Sequence, residues 1–125
     1  MSSPTLAEVA ARTLQGEPFS FALRNFLDAF RAAPAFGALA EEPARLAAAR
    51  PEGVIWDAYL AATAESLAAE SKLPAPGWSW AEDRRLARPW FALPWPGLRA
   101  VLLQESPAAF RSRNLFVSAN ALTRA

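Results

Sequence analysis

The sequence predicts an all-α fold, a compact bundle of five to seven helices, several of them short, with an irregular Pro/Trp-rich segment packed across it. Alanine, the strongest helix former, makes up about a quarter of the chain. Apolar residues recur at three- and four-residue steps in several stretches, as in amphipathic helices. Eleven prolines interrupt these stretches, and a proline inside a helix bends or ends it. At 125 residues, we expect residues 1–125 to form a single helical domain.

Two helices are predicted in the first third of the chain. Ser3 and Pro4 predict the start of the first helix, and Gly16 suits its end as a left-handed residue. The second helix starts at Pro18 and stops before Pro34. Its apolar stripe consists of Phe19, Ala22, Leu23, Phe26, Leu27 and Phe30. We favour a core-facing stripe over a ligand groove.

The central stretch contains one long predicted helix, over residues 54–71. Its apolar arc is wide, so we expect it to be contacted on two sides, with Trp56 and Tyr59 anchored in the core. Residues 36–50 remain ambiguous between one and two short helical turns. We expect a further short helix over 81–87, with Arg84 and Arg85 on its solvent side.

The last third predicts shorter elements. A helix over 98–105 is followed by a restart at Ser106 and Pro107, by the same cap-plus-proline pattern as at the N-terminus. Asn114 suits a left-handed terminator. Residues 115–117 are apolar and extended or strand-like, and Ser118 predicts a cap for a final helical turn.

Composition excludes several kinds of chemistry. There is no cysteine and no histidine, which rules out disulfides, zinc sites built on these residues, cysteine nucleophiles and histidine bases. No glycine-rich phosphate loop occurs. The adjacent acids at 41–42 and 82–83 point in different directions on a helix and suit no metal. We therefore expect a protein that is not an enzyme, with no cofactor and no metal site.

The termini and hydropathy give an expectation about location. No run of about 18 uncharged apolar residues predicts a membrane span. The N-terminus lacks a basic segment followed by an apolar block. We therefore expect a cytoplasmic protein that does not bind membranes.

Charge is unevenly distributed along the chain. Residues 1–71 hold nine acids and five bases, a net of −4, whereas residues 72–125 hold three acids and eight bases, a net of +5. The overall charge of +1 and the pI near 8.3 are low for a nucleic-acid-binding domain. Nucleic acid is thus a possible but disfavoured partner.

The Pro/Trp-rich segment, residues 74–96, holds four of the five tryptophans and five prolines. Indole rings need burial, but closely spaced prolines prevent regular structure. The segment must therefore lie on the chain's own helices or on a partner, and both interpretations stay open. Trp and Arg dominate the binding energy of protein interfaces. The predicted partner-binding residues are Trp78, Trp80, Arg88, Trp90, Trp95, Arg99, Arg111 and Arg113.

An alternative function uses the basic C-terminal half. The short helix, Asn turn and capped segment of residues 106–124 could mimic a helix-turn-helix, with Arg111, Arg113 and Arg124 on phosphates. The second helix would be too short to read a groove. This alternative is a small DNA-binding transcriptional regulator. A homodimer is compatible with the apolar surplus.

Four stretches carry a resemblance to a known group. Residues 105–125 read ESPAAFRSRNLFVSANALTRA and follow RPWF at 88–91. Residues 13–19 read TLQGEPF, and FLD follows at 26–28. Together they resemble small bacterial proteins of antitoxin type, which are thought to be encoded beside a toxin-like partner. The resemblance implies a non-enzymatic protein that neutralises a partner protein, such as a cognate toxin, by docking on it. It brings no assigned binding residues.

Overall fold

The computed structural model describes residues 4–93 and 95–122, and it is mostly helical. The described residues form six α-helices: α1 (Leu6–Leu14), α2 (Phe19–Ala32), α3 (Gly37–Ala40), α4 (Gly53–Glu70), α5 (Arg99–Glu105) and α6 (Ala108–Arg111). Short 3₁₀ turns occur at Leu46–Ala48, Gly77–Trp80, Glu82–Arg84 and Pro96–Leu98. Two short strands, β1 (Trp90–Phe91) and β2 (Leu115–Phe116), complete the structure. The helix number agrees with the prediction, and β2 falls in the stretch 115–117 that was predicted to be extended or strand-like. Its pairing with residues 90–91 was not predicted.

The first two helices pack against each other and follow the predicted pattern closely. Gly16 has φ +110°, as expected of a left-handed residue after α1. The cap of α1 was predicted two residues too early: Thr5 is the N-cap, and its Oγ1 accepts from the Glu8 amide at 3.2 Å. Ser3 lies outside the described residues. The apolar stripe of α2 is confirmed, with Phe19 half-buried and its other members buried.

The central helix is α4, as predicted. It contacts α6 and the three turns at 46–48, 77–80 and 82–84. Asp57 is a buried carboxylate on α4 that accepts from the amides of Leu46 at 2.7 Å and Ala47 at 3.1 Å. It therefore satisfies the free N–H groups at the start of a 3₁₀ turn, as a capping side chain does. These two hydrogen bonds attach the stretch 36–50, whose helical turns the sequence left undecided, to α4.

The two strands join the Pro/Trp-rich segment to the C-terminal region. They are parallel, and Trp90 aligns with Leu115. The Trp90 amide donates to the Asn114 carbonyl at 2.8 Å, and the Ala92 amide donates to the Phe116 carbonyl at 2.9 Å. β1 begins after Pro89 and ends before Pro94. Neither proline therefore occupies a strand position at which a backbone N–H donor is needed.

The C-terminal elements differ from the prediction in two places. Asn114 has φ +63°, which confirms the left-handed terminator. Ser106 does not cap α6, since its buried Oγ accepts from the Val117 amide at 2.8 Å and lies 2.6 Å from the Leu102 carbonyl. Pro107 takes the N-cap position instead. In the described residues up to Leu122, turns replace the helical turn predicted after Ser118.

None of the helices in the described ranges combines the length and the apolarity needed to cross a bilayer.

A substitution at Gly53 tests the close approach of α4 to the preceding turn. A Cβ at Gly53 would lie 2.2 Å from the carbonyl carbon and oxygen of Leu46. These are backbone atoms that cannot move without breaking the Asp57 cap. We expect Gly53→Ala to lower the free energy of unfolding by about 1–3 kcal/mol, measured by urea denaturation.

Gly37→Ala is the matched control. Gly37 lies in α3, its φ is negative, and nothing lies within 4 Å of the position that a Cβ would take there. We expect it to stabilise the protein slightly, by about 0.4–1 kcal/mol. Equal effects of the two substitutions would contradict the close approach at Gly53.

Candidate functional site

A buried arginine, Arg84, joins the Pro/Trp-rich segment to α4. Its side chain is 0% exposed. Nη1 donates to the Asp57 carbonyl at 3.1 Å, and Nη2 donates to the Pro43 carbonyl at 2.6 Å and lies 3.4 Å from a Glu42 carboxylate oxygen. The expectation that Arg84 faces solvent was therefore wrong. Irregular backbone leaves carbonyls without partners, and a guanidinium offers five donors to satisfy them.

A second buried arginine, Arg113, also donates hydrogen bonds to backbone carbonyls of separate elements. It is 2% exposed. Nη1 donates to Glu65 at 2.6 Å and to the Ala109 carbonyl at 2.7 Å, while Nη2 donates to the Ser79 carbonyl at 2.8 Å. Arg113 thus connects α4, α6 and the turn at 77–80. This side chain faces the interior, so Arg113 is not available to a partner protein at the surface.

Each buried guanidinium lies beneath one tryptophan of the turn at 77–80. Arg84 lies 4.8 Å from the centre of the Trp78 ring, and Arg113 lies 5.4 Å from that of Trp80. Trp78 is half-buried, and its Nε1 donates to the Leu39 carbonyl at 2.9 Å. Trp80 remains 59% exposed. These cation–π contacts offset part of the cost of burying the charges.

An exposed ion-pair cluster adjoins Arg84. Arg45 donates from Nε to Asp83 at 2.7 Å and from Nη2 to the other Asp83 oxygen at 2.9 Å, and it also pairs with Glu42. The hydrogen bonds from Arg45 lower the pKa of both carboxyls, Glu42 and Asp83, below their ordinary values. Burial, with the neighbouring Arg45 charge, lowers the pKa of Arg84. The cluster links the segment 42–45 to the turn at 82–84.

Four of the nine large apolar side chains that are exposed among the described residues lie within residues 93–103. Leu93, Trp95, Val101 and Leu103 are 37%, 61%, 47% and 45% exposed. We call these four residues with Arg99 the strap surface. Of the residues of α5, all of which are described, only Leu102 is buried. Because residues two apart face different directions, Val101 and Leu103 lie on opposite sides of the buried Leu102, and a partner that covers both must reach around this short helix.

The structure divides the eight predicted partner-binding residues into three groups. Trp78 and Arg113 belong to the interior contacts described above. Trp90 is half-buried and lines a cleft beside α2 and α4. The remaining five are exposed: Trp80, Arg88, Trp95, Arg99 and Arg111.

Two of the exposed arginines make local contacts. Arg99 lies 5.0 Å from the centre of the Phe91 ring, which stacks on Phe116. Arg111 donates to the Ser106 carbonyl at 3.1 Å. Both guanidinium groups keep further donors free to face solvent or a partner.

Sequence reasoning missed Arg84, Asp57 and the apolar side chains of α5. The first two carry no local signal, because their partners are 10 to 42 residues away in the sequence. The signal for α5 was present: 101–103 are three consecutive apolar residues, which cannot share one helix face. Within residues 4–93 and 95–122, no group of three or more acidic side chains could hold a metal ion.

No protein-family model, no curated protein and no solved structure matches this chain. A functional conclusion must therefore come from its own residues.

The adjacent pair Arg84 and Arg85 allows a matched test of the buried guanidinium. Arg84→Met would remove the guanidinium donors of the Pro43 and Asp57 carbonyls and one of the two arginine contacts of Glu42. We expect it to lower the free energy of unfolding by about 3 kcal/mol, measured by urea denaturation. Arg85 is exposed, so Arg85→Met should change stability by less than about 0.5 kcal/mol. Equal effects would contradict the bonding role of Arg84.

The ion-pair cluster predicts a pH dependence of stability. The folded-state pKa values of Glu42 and Asp83 lie below the ordinary 4.5 and 3.8. Their stabilisation is therefore complete well above pH 4.5 and is lost as the pH falls through the lowered values. We expect Arg45→Gln to lower the free energy of unfolding at pH 7 and to lower it less at pH 3. Urea unfolding at the two pH values measures both changes. Arg85→Gln is the control and should show no such change. A destabilisation by Arg45→Gln that is as large at pH 3 would contradict the cluster.

Proposed function

We propose that this protein is a non-enzymatic protein-binding module, an antitoxin-like neutraliser that docks on a partner protein through the strap surface. The observation that carries the proposal is the exposure of Leu93, Trp95, Val101 and Leu103 within residues 93–103. We also propose that the protein is cytoplasmic. We propose further that it forms a single all-α bundle domain, since β1 and β2 are only two residues long.

The geometry of α5 supports docking over internal packing. A helix that packs fully in a core buries a continuous stripe, whereas α5 buries Leu102 alone. Trp95, which precedes the turn that leads into α5, is 61% exposed. A flat indole at an interface buries a large area and loses little conformational freedom, which suits an anchor residue.

Charge indicates what kind of partner fits. Residues 85–105 contain three arginines and one glutamate, a net of +2. In the described part of the chain, none of Arg85, Arg88 and Arg99 forms an ion pair with an acidic side chain. We therefore propose a partner with an apolar pocket for Trp95 and an acidic rim. Neutralisation then acts by steric occlusion of the partner's working surface.

The geometry gives less support to the DNA-binding alternative. One of its three phosphate-contacting candidates, Arg113, is buried. Arg124 lies outside the described residues. In the described residues after α6, up to Leu122, no second helix follows that could enter a groove. We therefore retain protein docking as the proposed function.

The test is direct binding to the product of the adjacent gene. We expect the purified protein to form a complex with it and to relieve the growth arrest that its expression causes in a bacterial host. Trp95→Ala should weaken the complex by about 30-fold or more, the effect of losing an interface anchor of about 2 kcal/mol. Isothermal titration calorimetry measures the affinity, and circular dichroism checks the fold.

Phe21→Ala is the matched control, because Phe21 is a similarly exposed aromatic residue on α2 at 49%. It should leave the affinity unchanged. Absence of a complex with the wild-type protein would refute the proposal. So would an equal loss in both variants.

A further inference from the structure

A cleft of about 730 Å³ opens beside α2 and α4, apart from the strap surface. Its size falls within the range of small-molecule sites, about 300–1,000 Å³. Leu23 and Leu27 of α2 are its buried members, and Ile55 and Ala121 are half-buried. The strap surface contributes none of its lining residues. The cleft is therefore a candidate site that is independent of the docking proposal.

Aromatic side chains form much of its lining. Phe19 and Trp56 stack with their ring centres 5.4 Å apart and their planes 9° apart. Tyr59 meets Phe19 edge-on at 5.9 Å and meets Phe110 edge-on at 4.9 Å. Trp90 also lines the cleft. These contacts fix several rings in place, and fixed rings offer edges and faces to a flat aromatic ligand.

The polar side chains of the cleft include three uncommitted donors. Ser20 and Arg24 lie one turn apart on α2 and line the cleft together. No hydrogen bond or ion pair joins either side chain to another described residue, and none joins the Tyr59 hydroxyl to one. Burial raises the pKa of Tyr59, so this hydroxyl keeps its proton and can donate.

The lining of the cleft carries two acidic side chains, Asp28 and Glu52, and one basic side chain, Arg24, a net charge of −1. Asp28 has a partner, and Glu52 lies 4.0 Å from Arg50. No ion pair engages Arg24 in the described part of the chain. An anionic ligand would therefore bind through this guanidinium. A guanidinium binds a carboxylate through two parallel hydrogen bonds.

We propose that this cleft binds a small aromatic carboxylate. The flat body of the ligand lies among Phe19, Trp56 and Trp90, and its carboxylate accepts from Arg24, with the Tyr59 hydroxyl as a further donor. Ser20 lies on the same side of α2 as Arg24 and completes the set of donors.

Isothermal titration calorimetry with 2-naphthoate tests the proposal on the full chain. We expect saturable binding at one site per chain. The neutral 2-naphthamide and the aliphatic octanoate should each bind at least tenfold more weakly, because the first lacks the charge and the second lacks the ring. No saturable heat up to millimolar 2-naphthoate would overturn the proposal, as would equal or tighter binding of either analogue.

Matched variants locate the site. Arg24→Gln should weaken 2-naphthoate binding about tenfold or more, the value of a hydrogen-bonded charge, and leave 2-naphthamide binding unchanged. Tyr59→Phe removes the hydroxyl alone, and it should weaken 2-naphthoate binding severalfold. Arg85→Gln makes the same charge change away from the cleft and should have no effect. If Arg85→Gln weakens binding as much as Arg24→Gln, or if Arg24→Gln has no effect, the site is not this cleft.

Discussion

Burial of two guanidinium groups is the constraint on which the rest of the structure depends. Removing a charge from water costs several kcal/mol, and this cost must be offset by hydrogen bonds of good geometry. Arg84 and Arg113 obtain these bonds from the carbonyls of Pro43 and Ser79, from the helical carbonyls of Asp57 and Ala109, and from Glu42 and Glu65. The bonds to Pro43 and Ser79 satisfy carbonyls that lie outside the α-helices and strands. A proline-rich segment can thus pack on a helix without a regular ladder.

The tryptophans fall into different roles as a result. Trp78 and Trp80 cover the two guanidinium groups, so part of their apolar surface serves the fold. Trp95 makes no ring-stacking or cation–π contact of this kind with the described residues, and it stays largely exposed before the turn at 96–98. The segment 78–92 is attached to the rest of the fold by the hydrogen bonds described above, whereas Leu93, Trp95, Val101 and Leu103 stay exposed. In the proposed docking, this attachment reduces the ordering cost of binding a partner.

The elements with strong periodicity could be predicted from the sequence, and those fixed by distant partners could not. The ranges of α2 and α4 follow from apolar spacing and from Pro34 and Pro51 at their borders. The left-handed residues Gly16 and Asn114 also followed from residue type. The burial of Arg84 depends on carbonyls at 43 and 57, which local patterns do not reveal. The same holds for the cleft, since Phe19, Trp56 and Trp90 come from three separate elements.

Amide hydrogen exchange in Arg113→Met, followed by NMR, tests the central claim most directly. The amides of Leu86, Trp90 and Ala92 donate to carbonyls at 113, 114 and 116. If Arg113 holds these segments to α4, their exchange should accelerate by about two orders of magnitude, which corresponds to about 3 kcal/mol of local stability. The interior amides of α2 should keep their wild-type rates. Unchanged rates at 86, 90 and 92, or an equal acceleration in α2, would contradict the account.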